Sequence, residues 1–410
     1  MKVKKDNAIG NKKVSSSKNG IKCLKSRFYQ INRILPILFV LALFLPGVRW
    51  FALTTKNALI ASEASALTNW PAIELNRLDP YPKNFEAYFN KHFGLRDFLL
   101  EVKNRFDLYT VGSGLVKNKI IVGKENWLFA NDNVIPAVVG ESAIQQAEID
   151  ALNTTLEQRV NYCKNRGIRY LLVLIPNKAS IYPEFLPDEF QATMESTYHT
   201  PVEVWLNNLS DDGLKSHVYY LKDDFMKHKS LDSIYLYAKH DHHWNDWGAY
   251  WGSRYIVDRL VQSGVSLSNP YEGNEPKVHL EMMSKGNLSA YLGLESSFQE
   301  MLPSLLFSDS FPDVTQGPKK NYTSPPEFPY PWEYEKVYRS LGEGKPKVVI
   351  IRDSFARMML PHFSAAFSES VYIWDNWQYA LNEAILEQEH PDLVIQLVVE
   401  KHLLRLAQVE

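Results

Sequence analysis

The segment at residues 348–355, VVIIRDSF, places a serine directly after a run of β-branched residues. Such a run predicts a buried strand, and the residues that follow predict a turn into a helix. Ser354 is then expected where the strand ends and the helix begins. The helix dipole favours negative charge at this position, which suits a nucleophile whose oxyanion must be stabilised. The alternative is that Asp353 or Ser354 is only the helix N-cap.

A second candidate segment is residues 240–247, HDHHWNDW. In an extended chain Asp241 and His243 project to the same side. Asp241 then orients His243, whose other nitrogen is presented to a serine. Two alternatives stay open, which are a metal site of His240, Asp241 and His242 and histidines with no chemical role. The triad is favoured because its three residues are the parts that acyl transfer through a serine ester requires. We therefore predict no metal.

The elements that must position these residues alternate along the chain. Strands are predicted at 170–175, 218–221, 234–237, 348–351, 371–374 and 393–399, and helices at 142–165, 201–209, 247–262, 355–367 and 381–389. This alternation predicts an α/β fold with a parallel central sheet covered by helices on both faces. Such sheets place active sites beyond the carboxyl ends of their strands. Residues 303–346, rich in proline and aromatic residues, are predicted to be a surface excursion between two core strands.

The amino-terminal region combines a basic segment with an apolar run. Residues 1–33 carry ten Lys or Arg residues against one aspartate, and residues 34–48, ILPILFVLALFLPGV, carry no charge. A membrane span needs about 20 residues, and flanking Arg33, Arg49 and Trp50 extend the usable length. The positive-inside rule predicts a single-pass anchor in the cell membrane, with the amino terminus cytoplasmic and the following domain outside. A cleaved signal peptide and a buried core helix are the alternatives.

Composition narrows the class of protein. With 410 residues, 45% of them hydrophobic, the chain can bury a core as one large domain or two smaller ones. The net charge of −2 gives no support for nucleic-acid binding, and we predict none. Cys23 and Cys163 lie on opposite sides of the apolar run, so no disulfide framework is expected.

Several motifs together resemble a known family. Residues 241–244, DHHW, resemble the signature of DHHW proteins, and Ser354 in an RDSF turn resembles the SGNH-hydrolase-like alginate O-acetyltransferase family. Residues 85–96, 123–129, 176–187 and 391–400 resemble further segments of that family in the same order. The likeness covers about residues 70–405. It implies a three-layer SGNH-like domain over residues 116–410, preceded by a basic cytoplasmic segment (1–33), a transmembrane anchor (34–53) and a helical segment (54–115).

The resemblance also implies roles for individual residues. Ser354 is the nucleophile, His243 the base and Asp241 the orienting acid. Candidate substrate-binding or oxyanion residues are Arg352, Gly286, Asn287, Lys178 and Tyr182. Two departures stand out, because Arg352 replaces the family's usual glycine before Asp-Ser, and residues 285–288, KGNL, stand where members often carry Gly-Asp-Leu.

The implied activity is ping-pong transfer of an acetyl group onto a hydroxyl of an exopolysaccharide or cell-wall polymer. The implied partners are the polysaccharide acceptor, the membrane and a membrane-bound O-acyltransferase that supplies the acetyl group, and no cofactor is expected. Two other readings stay open. One is a carbohydrate esterase with the same triad and water as acceptor, and the other is a non-catalytic polysaccharide-binding subunit.

Overall fold

The computed structural model describes residues 79–92, 96–117, 119–132, 144–193, 199–209, 211–283, 286–326, 328–342, 344–375 and 379–407, with five helical positions between 34 and 40. The remainder of the predicted anchor at 34–53 lies outside the described residues. Among the residues that are described, no helix combines the length and apolarity needed to cross a membrane.

The chain divides into two compact units, residues 1–100 and 101–410. In the first, the described part contains α1 (Pro80–His92), along which Tyr81, Phe85 and Phe89 stack with ring centroids 6.0 and 6.2 Å apart. The remaining α-helices are α2 (Arg96–Val111), α3 (Gln146–Lys164), α4 (Lys178–Ile181), α5 (Asp188–Thr193), α6 (Pro201–Asn208), α7 (Asp212–Lys215), α8 (Lys222–Lys229), α9 (Asp246–Gln262), α10 (Asn287–Tyr291), α11 (Leu360–Phe363) and α12 (Glu383–Glu389).

The second unit contains the described strands, which form three sheets. A small antiparallel sheet consists of β1 (Val116–Lys117), β2 (Ile120–Val122) and β3 (Leu128–Ala130). The central sheet consists of β4 (Arg169–Ile175), β5 (Val218–Tyr220), β8 (Val314–Gln316), β9 (Glu335–Ser340), β10 (Val348–Arg352), β11 (Glu369–Trp374) and β12 (Leu393–Val399). An antiparallel hairpin consists of β6 (Lys277–Met283) and β7 (Glu300–Leu306).

The central sheet has the order β5-β4-β12-β10-β11-β9-β8. The first five strands are parallel, and β9 and β8 add to one edge in antiparallel pairing. The prediction of an entirely parallel sheet is therefore wrong at this edge. Residues 303–346 supply both antiparallel strands, so they are not merely a surface excursion.

Alternation along the parallel strands explains the layered core. In β4, Leu171, Val173 and Ile175 pack into the core on one face, whereas Tyr170, Leu172 and Leu174 pack into the core on the other. β10 and β12 divide their side chains in the same way. Because successive side chains point to opposite faces, a continuous apolar run is what a strand covered on both faces requires. The strands β4, β10 and β12 are confirmed where the sequence predicts them.

Two other predictions fail locally. Residues 234–237 form no strand, and their single ladder contact is an isolated bridge between Tyr237 and Trp244. The helix predicted at 355–367 is instead a 3₁₀ helix (Ser354–Met358), α11 and a second 3₁₀ turn (Ser364–Ala366). The chain therefore turns just after β10. Ser354 lies in this turn, close to the carboxyl end of the strand.

Candidate active site

Ser354 lies two residues beyond β10 and begins the 3₁₀ helix Ser354–Met358. Asp353 is the N-cap of this helix, since its carboxylate accepts a hydrogen bond from the Phe355 N–H at 2.8 Å. Its other oxygen accepts from the Tyr379 hydroxyl at 2.7 Å and from the Val399 N–H at 3.2 Å. The capping role therefore belongs to Asp353, and Ser354 projects, partly exposed, beyond the carboxyl end of the sheet.

The structure brings Ser354, His243 and Asp241 together. The Ser354 Oγ is 2.8 Å from Nε2 of His243, and Nδ1 of the same ring is 2.7 Å from Oδ1 of Asp241. The side chains of His243 and Asp241 are 19% and 20% exposed, so the group is accessible from one side. This is the chain of contacts in which a carboxylate fixes the histidine tautomer and the histidine accepts the serine proton.

Several hydrogen bonds hold Asp241 ionised. Burial by itself raises a carboxyl pKa, but the hydrogen bond and charge of His243 and the charge of His242 outweigh burial and hold the pKa of Asp241 well below its usual range. The backbone N–H groups of His243 and Asn287 also donate to this carboxylate, at 2.9 and 3.0 Å. Asp241 can thus orient His243 without competing for its proton.

Trp244 joins the two triad segments. Its side chain is fully buried, and its indole N–H donates to the Phe355 carbonyl at 2.8 Å. Gly248 and Gly252 of α9 make room for it, because a Cβ at either position would lie 2.9 Å from an atom of Trp244. Trp244 is therefore a core residue that fixes the histidine segment against the serine helix.

Lys178 lies behind the histidine segment. Its side chain is 4% exposed, and its ammonium donates to the carbonyls of Ala238, Lys239 and Asp241 at 3.0, 3.0 and 2.6 Å. Burial lowers the pKa of Lys178 to about 7, and the carboxylates of Asp241 and Glu300 oppose that fall. These contacts make Lys178 a brace for the backbone that carries the triad acid.

Glu300 of β7 holds the same backbone by accepting hydrogen bonds from the N–H groups of that backbone. Its carboxylate accepts from the N–H of Lys239 at 2.7 Å and of His240 at 3.0 Å. Burial raises the pKa of Glu300. The peptide groups of residues 238–241 are thus bonded to an ammonium through their carbonyls and to a carboxylate through their N–H groups.

Tyr182 and Arg352 are buried, unlike residues that touch a substrate. The Tyr182 side chain is 1% exposed, and its hydroxyl accepts from the Leu236 N–H at 2.9 Å. Arg352 is 0% exposed, donates to the Glu333 carbonyl at 3.0 Å and stacks on Trp374 at 4.3 Å. Burial lowers the pKa of Arg352 to about 10. These contacts place both side chains in supporting positions, and for Lys178, Tyr182 and Arg352 substrate contact stays a prediction.

Gly286 and Asn287 contact the histidine segment at the start of α10. A Cβ on Gly286 would lie 2.1 Å from the His240 carbonyl oxygen, so only glycine allows this approach. The Asn287 side chain accepts from the His242 N–H at 3.2 Å, and its amide contacts the His242 ring. Asn287 is therefore engaged with His242, and its role toward an oxyanion stays a prediction.

His242 lies outside the hydrogen-bonded path from Ser354 through His243 to Asp241. Its ring lies 3.8 Å from the His243 ring, centroid to centroid. Burial and the neighbouring His243 lower the pKa of His242 well below its usual range. Asp241, His242 and His243 also form a group whose ligand atoms lie close enough to hold a metal ion. In the triad arrangement both His243 nitrogens are already engaged.

Sequence reasoning missed Tyr379 and His402. Tyr379 is fully buried, and its hydroxyl contacts both Asp353 and Nδ1 of His402, each at 2.7 Å. Its φ of +51° lies in the left-handed region, which costs about 1 kcal/mol or more for such a residue. Neither residue belongs to a recognisable motif. Their contacts with Asp353 and with each other form only in the folded sheet, where the segments that follow β10, β11 and β12 come together.

Comparison with known sequences assigns the family. The sequence model for the SGNH hydrolase-like domain of the acetyltransferase AlgX matches residues 120–370, more than half of the chain. The chain belongs to this family. The resemblance recognised in the sequence is thereby confirmed, and with it the SGNH-hydrolase-like α/β fold.

Individual relatives are more distant. A probable alginate O-acetylase, AlgJ of Pseudomonas aeruginosa, is 26% identical over 223 residues, which are 53% of this chain and 52% of that protein. AlgJ of Pseudomonas putida is 21% identical over 230 residues, 54% of each protein. The chain thus spans about half the length of these curated relatives. Among solved structures, PatB1 of Bacillus cereus with a sulfonyl adduct has 16% identity and a TM-score of 0.49, covering 71% of this chain and 100% of that one.

Proposed function

We propose that this chain is an O-acetyltransferase that moves an acetyl group through Ser354 onto a hydroxyl of an extracytoplasmic polysaccharide. The observation that carries the proposal is the continuous hydrogen-bonded path from Ser354 Oγ through His243 to Asp241. Membership of an acetyltransferase family and relatives named alginate O-acetylases support it.

In the first half-reaction Ser354 Oγ attacks the carbonyl carbon of an acetyl donor. His243 Nε2 takes the serine proton, and Asp241 stabilises the resulting imidazolium. The bond between the acetyl carbon and the leaving oxygen breaks, and His243 returns the proton to the leaving group. We assign the backbone N–H of Ser354 to the oxyanion, because the first N–H of a helix lacks an intrahelical acceptor.

In the second half-reaction an acceptor hydroxyl replaces the leaving group. His243 removes its proton while the oxygen attacks the acetyl-serine carbonyl, and the Ser354 oxygen departs and regains a proton from His243. Water in place of the sugar hydroxyl would make the same site an esterase. The non-catalytic reading is disfavoured, because the three triad residues are mutually paired and part-exposed rather than mispaired.

We further propose that residues 34–53 anchor the chain in the cell membrane and that the catalytic domain lies outside it. The charge-free run at 34–48 and the basic residues before it support this topology. A membrane-bound O-acyltransferase is the proposed source of acetyl groups. Fusing alkaline phosphatase after residue 60 tests the topology, since the reporter is active only outside the cytoplasm. A fusion that is produced at full length but shows no phosphatase activity would refute the proposed orientation.

The activity is tested with the full chain, an activated acetyl ester and oligosaccharides. We expect an acetyl-enzyme in the intact-protein mass and acetylated sugar among the products. Ser354→Ala should abolish both, and His243→Ala should lower turnover by about 10³-fold or more. Hydrolysis without sugar product would favour the esterase. A folded protein without turnover or acetyl-enzyme would remove the triad assignment.

A further inference from the structure

A cavity of about 400 Å³ is lined in part by residues that closely follow each of the two triad segments in the chain. It is bounded by the start of α9, the 3₁₀ helix of Ser354 and the segment that follows β7, and its lining includes Asp246, Phe307, Phe311, Asp313, Met358 and His362. Asp246 follows His243 by three residues, and Met358 ends the 3₁₀ helix that Ser354 begins. Five residues of such a helix span about 8 Å, so the cavity is close enough for a polymer seated in it to reach Ser354.

The charged groups of the cavity are carboxylates. Asp246 is part-buried, and its carboxylate has no hydrogen-bond or ion-pair partner among the described residues. Burial raises the pKa of Asp246. Asp313 stands on another wall and is exposed. The described lining contains neither lysine nor arginine. A ligand that carries its own carboxylate therefore meets repulsion here and finds no counter-charge in the lining.

His362 is the histidine of the lining, and its ring is buried and uncharged. Its side chain is 7% exposed, its Nδ1 is 3.0 Å from the Tyr271 hydroxyl, and its Nε2 has no hydrogen-bond partner in the described structure. Burial lowers the pKa of His362 to about 3, so the ring is neutral. Depending on the tautomer, Nε2 either donates or accepts one hydrogen bond. That nitrogen is itself buried, so His362 adds an uncharged polar edge to the lining and no positive charge.

The apolar wall completes a site of the kind that sugars use. The rings of Phe307 and Phe311 lie 4.2 Å apart, centroid to centroid, and both are part-buried. Flat aromatic faces pack against the C–H faces of a sugar ring, while a few polar groups fix its hydroxyls. The cavity volume lies within the range of small-ligand sites.

We propose that this cavity is an acceptor subsite for an uncharged, hydroxyl-rich sugar residue and that it discriminates against uronate polymers. The inference rests on the proposed function for the presence of an acceptor, and it adds the chemical class of that acceptor. Asp246 accepts hydrogen bonds from the sugar hydroxyls, and Phe307 and Phe311 support the ring. A polymer seated here continues toward Ser354, where a neighbouring residue receives the acetyl group.

Binding is measured first, so that the subsite is tested without catalysis. The full-length Ser354→Ala protein is titrated calorimetrically with cellotetraose, mannotetraose, chitotetraose and tetramannuronate. We expect at least one neutral tetrasaccharide to bind about fivefold to tenfold more tightly than the uronate, which is the penalty for like charges a few ångströms apart. Salt should weaken this preference. Equal or tighter binding of the uronate, or no binding by any neutral tetrasaccharide, overturns the proposal.

Two variants locate the effect in the cavity. Asp246→Asn removes the charge at nearly constant size and should shrink the preference over uronate by about half or more, whereas Asp223→Asn, on the exposed start of α8, should leave it unchanged. Ser308→Trp fills the cavity rim and should weaken binding of all four sugars. A preference that Asp246→Asn and Ser308→Trp both leave intact would overturn the subsite. If binding behaves as expected but no acetyl-enzyme forms in the wild type, the subsite stands and the proposed chemistry fails.

Discussion

The two sides of the triad differ in how their polar groups are paired. On the inner side, Lys178, Asp353 and Glu300 are buried or nearly so, and each makes two or three hydrogen bonds to the chain around the triad. On the cavity side, the part-exposed carboxylate of Asp246 lacks a hydrogen-bond or ion-pair partner among the described residues. Fully paired polar networks fix geometry, whereas unpaired polar groups that line a cavity are available to a ligand. The comparison assigns positioning to the inner side and recognition to the cavity side.

The largest effect is expected when Asp353 is removed. Asp353→Ala leaves the Phe355 N–H and the Val399 N–H without their acceptor, whereas the Tyr379 hydroxyl keeps its contact with His402. Each orphaned group costs about 1–3 kcal/mol, so the free energy of unfolding should fall by about 2 kcal/mol or more. Urea unfolding of the full chain measures it. Asp223→Ala is the exposed control, and an equal loss in the two variants would contradict the bracing role.

Lys178→Met should lower kcat by about 100-fold while changing the donor KM little. The change leaves the carbonyls of Ala238 and Asp241 without a donor, whereas the Lys239 carbonyl keeps the Leu128 N–H. A displacement of about 1 Å in a catalytic group costs about 100-fold. Steady-state kinetics with an activated acetyl ester measures it. Lys215→Met, on the exposed end of α7, is the matched control. A rise in KM at unchanged kcat would instead support the sequence-based prediction that Lys178 binds substrate.

The strands that could be predicted are those whose local sequence pattern is distinctive. β4 and β12 are largely continuous apolar runs, and this pattern predicts strands of a sheet that is covered on both faces. β9, EKVYRS, mixes charged, polar and apolar residues next to the edge strand β8, and a surface segment can have the same composition. Residues 234–237 look like a strand, yet the Leu236 N–H bonds to a tyrosine side chain rather than to a neighbouring strand. Tertiary contacts thus decide what propensity leaves open.

The same distinction applies to the site. Ser354, His243 and Asp241 were predictable because their types define one chemistry. Strand polarity places only Ser354, since no strand directly precedes the histidine segment in the described part of the chain. Lys178 and Tyr182 belong to a recognisable motif, but a motif does not say which way a side chain faces. Tyr379 and Asp246 give no local signal. Their places follow from which strands are neighbours, and a single sequence does not contain that information in readable form.

A smaller effect is expected from pH. The ammonium of Lys178 has three N–H donors for three carbonyls, and the neutral amine has two. Since burial lowers the pKa of Lys178 to about 7, raising the pH through this value removes one hydrogen bond from the brace. We expect kcat to fall by about fivefold on the alkaline side, the size of one lost hydrogen bond. The pH–rate profile of Lys178→Met should lack this decline. A decline retained in that variant would assign it to another group.

The smallest effect is expected for truncation on the cavity side. Met358 is 39% exposed and lines the cavity at the end of the serine helix. Met358→Ala should lower the free energy of unfolding by less than about 1 kcal/mol, because an exposed side chain loses little burial. Its acceptor KM should nevertheless rise, since the polymer loses part of the cavity wall. Urea unfolding and acceptor kinetics together separate the two quantities. A large loss of stability at unchanged acceptor KM would show that this wall supports the fold rather than the acceptor, and would erase the contrast between the two sides of the triad.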